Sequence, residues 1–155
     1  MKNEVSTMMK KLIIYSLILF STAVLYAQGS SAENWKTMAL LEYEKSKDEY
    51  GEIFIPKFTA PIQELDGKEI ELAGYIIPFE GMFKPEQLII SSLPIASCFF
   101  CGGAGPESVA EVYLDEPVQY TAKKVKVVGK LTLNDSDVDQ LMYILKDATL
   151  EILDN

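Results

Sequence analysis

Two cysteines three positions apart, Cys98 and Cys101, stand in the stretch Ser97-Cys98-Phe99-Phe100-Cys101-Gly102-Gly103-Ala104-Gly105-Pro106-Glu107. These are the only thiols of the 155-residue chain, and the chain has no histidine. A Cys-x-x-Cys pair can close a small disulfide or place two thiolates on one metal ion. Gly102 and Gly103, directly after the second Cys, let backbone N–H groups turn toward the sulfurs and stabilise thiolate charge. Zn²⁺ wants four ligands, so two thiolates need help; Glu107 is the nearest oxygen donor, with Glu111 and Glu80 weaker candidates. Cu(I) is content with two soft sulfurs. Zinc and copper both stay open on this pattern.

Other chemistries are narrower. Without histidine, Ser-His-Asp and Cys-His nucleophile activation are excluded. A thioredoxin-like dithiol opens a helix whose N-terminus lowers the first thiol's pKa, but Gly-Gly-Ala-Gly-Pro does not propagate a helix. A disulfide that merely stiffens the loop is the structural alternative to metal. Asp135 to Asp139 resembles the start of a calcium loop, yet Gln140 replaces the required glycine and Lys146 the bidentate acid, so a capped turn is expected. The chain reads as a binding or accessory module rather than an enzyme.

Lys10 and Lys11 precede an apolar run from Leu12 to Tyr26, and Ala27 meets a polar segment. This pattern predicts a signal peptide over 1–27, with an uncleaved N-terminal anchor as the alternative and the only membrane contact. Residues 28–155 then form one exported domain, periplasmic or secreted. All 14 basic residues are Lys; three of them and one of the 23 acids fall in the leader, so the mature chain carries a balance of −11. Such a surface, lacking arginine forks for phosphate, disfavours nucleic acid.

The elements that must position the loop read as mostly β. Ser31 to Lys47 begins with a capped helix carrying Trp35, Met38 and Leu41, and then extends. Lys45 to Glu52 reads as a polar loop, and Ile53 to Phe58 as an extended segment kept at an edge by Pro56. Asp66-Gly67 signals a tight hairpin turn. Strands are expected over Glu69–Phe79, bent at Gly74, then Gln87–Ser92, Ser108–Leu114, Lys123–Leu133 and Leu141–Leu153. Five bent strands with one helical piece at the start predict a small OB-like barrel; a small β-sandwich is the alternative. Trp35 is expected to lid the barrel, and Phe99, Phe100, Tyr75, Phe79 and Phe83 to pack rather than line a groove.

Gly74-Tyr75-Ile76-Ile77-Pro78, the Cys98 to Glu107 loop, Val128-Gly129-Lys130-Leu131 and Tyr143 to Ala148 together resemble a bacterial family of exported domains of unknown function. Its marks are a GYxxP strand and a CxFCGxxGPE-type loop, and the resemblance runs from about Trp35 to the C-terminus. It implies an exported domain often encoded near ABC-transporter components, with a metal connection. An envelope transporter or another protein is the expected partner, and a second copy in a homodimer could share its thiolates to complete a zinc site.

Overall fold

The computed structural model describes residues 30–49, 51–78, 86–137 and 139–154. The leader, Phe79, Glu80 and Phe83 lie outside the described residues. Helix α1 spans Ser31–Met38 and is followed by strands β1 (Glu42–Asp48) and β2 (Gly51–Lys57) and a single helical turn, α2 (Ala60–Gln63). Five further strands follow: β3 (Glu69–Ile77), β4 (Gln87–Ser91), β5 (Val109–Leu114), β6 (Lys124–Leu133) and β7 (Tyr143–Ile152).

Strands β3 to β7 form a closed barrel in the order β3-β4-β5-β7-β6. All pairs are antiparallel except β5 with β7, which run parallel. This is the OB-like architecture expected from five bent strands, and closure into a barrel overturns the sandwich alternative. Closure depends on β3, which pairs with β6 from Glu69 to Tyr75 and with β4 from Tyr75 to Ile77. Gly74 sits at that handover with the carbonyl of Ser91 against it, so the bend expected there is a close backbone crossing.

Period-2 alternation sends Ile70, Leu72 and Ile76 of β3 inward to meet Leu88, Ile90, Val112, Val125, Val127, Leu131 and Leu145. Met38 of α1 and Ile62 of α2 join that core, and Trp35, Leu65 and Phe58 pack against it. Helix α1 is fastened along β3. Asn34 Nδ2 donates to the Glu71 carbonyl and Trp35 Nε1 to the Ala73 carbonyl, both at 2.9 Å, while Ser31 Oγ accepts from the Ala73 amide. Trp35 thus packs on the core beside β3. The N-cap is Ser30, in a capping box with Glu33, one residue earlier than the expected Ser31.

Two segments differ from expectation. The polar Lys45 to Glu52 stretch is not a loop: β1 and β2 pair from Glu42↔Lys57 to Asp48↔Gly51 as a two-stranded ribbon outside the barrel sheet. The ribbon is wetted on both faces, so no alternation marks it, and its apolar residues Tyr43, Phe54 and Ile55 are exposed. Pro56 does lie in an edge strand, opposite Tyr43. Asp66-Gly67 closes no hairpin. It ends the turn after α2, where Gly67 N–H donates to the Leu131 carbonyl and Asp66 Oδ1 accepts from the Leu133 amide, tying the turn to β6.

Candidate functional site: a dithiol loop on the barrel

The connection between β4 and β5 carries the cysteines through three short 3₁₀ turns, Ile95–Ser97, Phe99–Cys101 and Pro106–Ser108. Its ends are pinned to the barrel by the Ser92 amide donating to the Ser108 carbonyl at 2.9 Å. Pro94 and Pro106 open the first and third turns. Between them the chain turns tightly around Cys98, whose carbonyl accepts from the amides of both Cys101 and Gly103 at 3.1 Å.

Cys98 and Cys101 are free thiols, the first buried and the second exposed. The neighbouring Cys98 thiol, with some burial, holds the Cys101 thiol above its ordinary value. The loop thus brings the two sulfurs together as the spacing implied.

The expected N–H to sulfur support takes another form. Gly102 N–H donates to the Phe99 carbonyl and Gly103 N–H to the Cys98 carbonyl. The glycines serve backbone shape: Gly102 has φ +77°, and a Cβ on Gly103 would lie 2.6 Å from the Ser97 carbonyl oxygen. The amides that close the turn serve carbonyls because the turn is short enough for i to i+3 bonds.

Glu107 is placed differently from the thiols. Its carboxylate folds back over Gly105, where a Cβ would meet Oε2 at 2.2 Å. Its charge acts on Tyr43 and Tyr143, helping burial to raise both phenols. Among the described residues no group of three or more His, Cys, Asp or Glu side chains is arranged to hold a metal ion. Glu111 is held on the outer face of β5, accepting from Gln87 Nε2 at 2.7 Å, Tyr113 Oη at 2.8 Å and the Leu141 amide at 3.3 Å. Glu80 lies outside the described residues.

The aromatic pair between the cysteines packs on itself, Phe99 and Phe100 meeting edge to face at 5.2 Å, with Phe100 largely exposed. Leu93 and Ile95, on the approach to Cys98, are exposed as well. The Asp135 to Asp139 segment is a turn organised by Asn134, whose Oδ1 accepts from the amides of Ser136 and Asp137. What sequence reasoning missed at this end of the molecule is the β1–β2 ribbon, whose base brings Tyr43 to Glu107. Its one legible signal was the strand formed by Ile53 to Pro56.

Fold and site define an OB-like barrel that displays a reduced dithiol on the β4–β5 loop. Comparison of the chain with family models, with curated proteins and with solved structures finds no match.

Proposed function

We propose that this chain is an exported metal-binding module of the bacterial cell envelope, an accessory to a transport system, that holds zinc or copper on Cys98 and Cys101. The observation that carries this reading is the pair of free cysteines held on one tight turn, in which the Cys98 carbonyl accepts from the amides of Cys101 and Gly103. A metal ion replaces the two thiol protons with bonds to sulfurs carried on a turn the backbone already fixes, so little loop reorganisation opposes binding. The test is the metal content and free-thiol count of one sample purified anaerobically without chelators. Retained zinc or copper that is lost in Cys101→Ser supports the reading; metal-free protein with both thiols titratable and no uptake on addition of either metal overturns it.

A second reading, of a protein-interaction module, is favoured by the ribbon that stands outside the barrel sheet with Tyr43, Phe54 and Ile55 exposed. Pairing of the ribbon with a second copy would give a homodimer. That reading expects Phe54→Ser/Ile55→Ser to lower the mass seen in sedimentation, while Cys98→Ser/Cys101→Ser leaves it unchanged. Equal masses for both variants and the parent chain would remove it.

A further inference from the structure

We infer that the ion taken by Cys98 and Cys101 is monovalent and soft, Cu(I), bound one per chain between the two sulfurs alone. This inference rests on the metal-binding reading and adds the identity and coordination of the ion. The donor count comes first. The chain has two cysteines and no histidine, and among the described residues no carboxylate joins the thiols in a group of three. The nearest acid in sequence, Glu107, folds its carboxylate back over Gly105. Zn²⁺ in a closed site takes four donors, and a pair supplies half of them. Thiolate sulfur selects Cu(I), which the pair alone satisfies.

The loop makes this pair difficult to extend within one chain. Cys98 is fully buried, so its sulfur has no open side for a solvent ligand. Gly103 packs against the Ser97 backbone, and the amides of Cys101, Gly102 and Gly103 are bonded within the turn. Moving the loop to gather a third or fourth ligand would break those bonds. Exposed Cys101 is then the sulfur through which an ion arrives. On binding, each thiol releases one proton to solvent and each sulfur forms one bond to Cu⁺. The ion keeps its oxidation state, so no electron donor or acceptor is required.

The experiment titrates the full chain, reduced and anaerobic, with Cu(I) against a chromophoric Cu(I) chelator, and in parallel with Zn²⁺. X-ray absorption at the copper edge is then read on the loaded protein. The expected result is one Cu(I) per chain, two sulfur scatterers, and zinc that is either not retained or held at one per two chains. Cys101→Ser, at an exposed position that leaves the core untouched, should lose the stoichiometric copper while keeping the parent melting temperature. Zinc held at one per chain that Cu(I) does not displace overturns the assignment to copper and leaves the metal-binding reading standing. Three sulfurs per copper, or one copper per two chains, overturns two-coordinate binding within a chain. Retention of neither ion sinks both readings.

Discussion

The phenol of Tyr143, in β7, donates to the carbonyl oxygen of Met38, at the end of α1, at 2.7 Å across 105 positions of sequence. Both side chains are fully buried. The bond joins the last strand of the barrel to the helix that lids it, so Tyr143→Phe leaves a buried carbonyl without its donor. A loss of about 1–3 kcal/mol is expected. It would be read as a lower denaturant midpoint, followed by the fluorescence of Trp35, the single tryptophan, which sits on the same helix.

Burial, with the nearby Tyr43 and Glu107, raises the pKa of that phenol well above the ordinary tyrosine value. A raised folded-state pKa means stability that is fully present below the unfolded value, about 10, and lost as pH climbs from there toward the folded value. The parent chain should therefore lose stability above about pH 10 more steeply than Tyr143→Phe, which has no proton to release there. Parallel slopes in alkaline unfolding curves would show that Tyr143 reaches solvent before the fold opens.

Gly74 is tested by the smallest possible side chain. A Cβ there would fall 2.2 Å from the carbonyl oxygen of Ser91, a backbone atom that cannot rotate away. Gly74→Ala must push β3 and β4 apart where the barrel closes, and the expected cost is about 1–3 kcal/mol, in the range of overpacked cores. Hydrogen exchange would localise it: amides of Tyr75 to Ile77 and Ile89 to Ser91, which pair across that seam, should lose protection first.

The barrel was legible because strands such as β3 and β6 bury one face. Val125, Val127 and Leu131 alternate with Lys124, Lys126 and Lys130, and that period survives in the sequence. The two cysteines were legible as a pair from their spacing, and the Phe99–Cys101 3₁₀ turn closes that spacing, with the Cys101 amide on the Cys98 carbonyl at 3.1 Å. The setting of Glu107 was not legible from its proximity to Cys101. Six residues on, it follows Pro106 into a separate 3₁₀ turn that packs against helix α1, an element distant in the sequence. Of the ribbon only the extended Ile53 to Phe58 segment was legible; its pairing was not, because pairs such as Lys45 with Phe54 face solvent on both sides, and a cation over an aromatic ring leaves no apolar alternation.

Glu107→Gln separates the carboxylate from the thiols by experiment. The side chain keeps its shape and loses its charge, so Tyr43, raised first by burial and further by Glu107, should titrate nearer its ordinary value. Copper stoichiometry should be that of the parent chain, because Glu107 folds onto Gly105. Tyrosine absorbance titration and copper analysis on one preparation read both; copper lost together with the Tyr43 shift would make Glu107 a ligand.

Limited proteolysis distinguishes the ribbon from the barrel. All basic residues are lysines, so trypsin has only lysyl bonds to cut. Lys45 and Lys47 lie in β1 and Lys57 ends β2, in a two-stranded sheet whose pairing is with itself. Isolated two-stranded ribbons are marginal in water, and local opening exposes their backbone without unfolding anything else. Lys124, Lys126 and Lys130 belong to β6, paired on both sides inside the closed barrel, and open only with the global transition. Early cleavage at Lys45, Lys47 or Lys57 is expected, while the bonds after Lys124, Lys126 and Lys130 stay intact as long as the nicked α1 segment remains packed on the barrel through Met38. Ribbon lysines that resist as long as those of β6 would mean that the exposed faces of Tyr43, Phe54 and Ile55 are covered in solution by another chain.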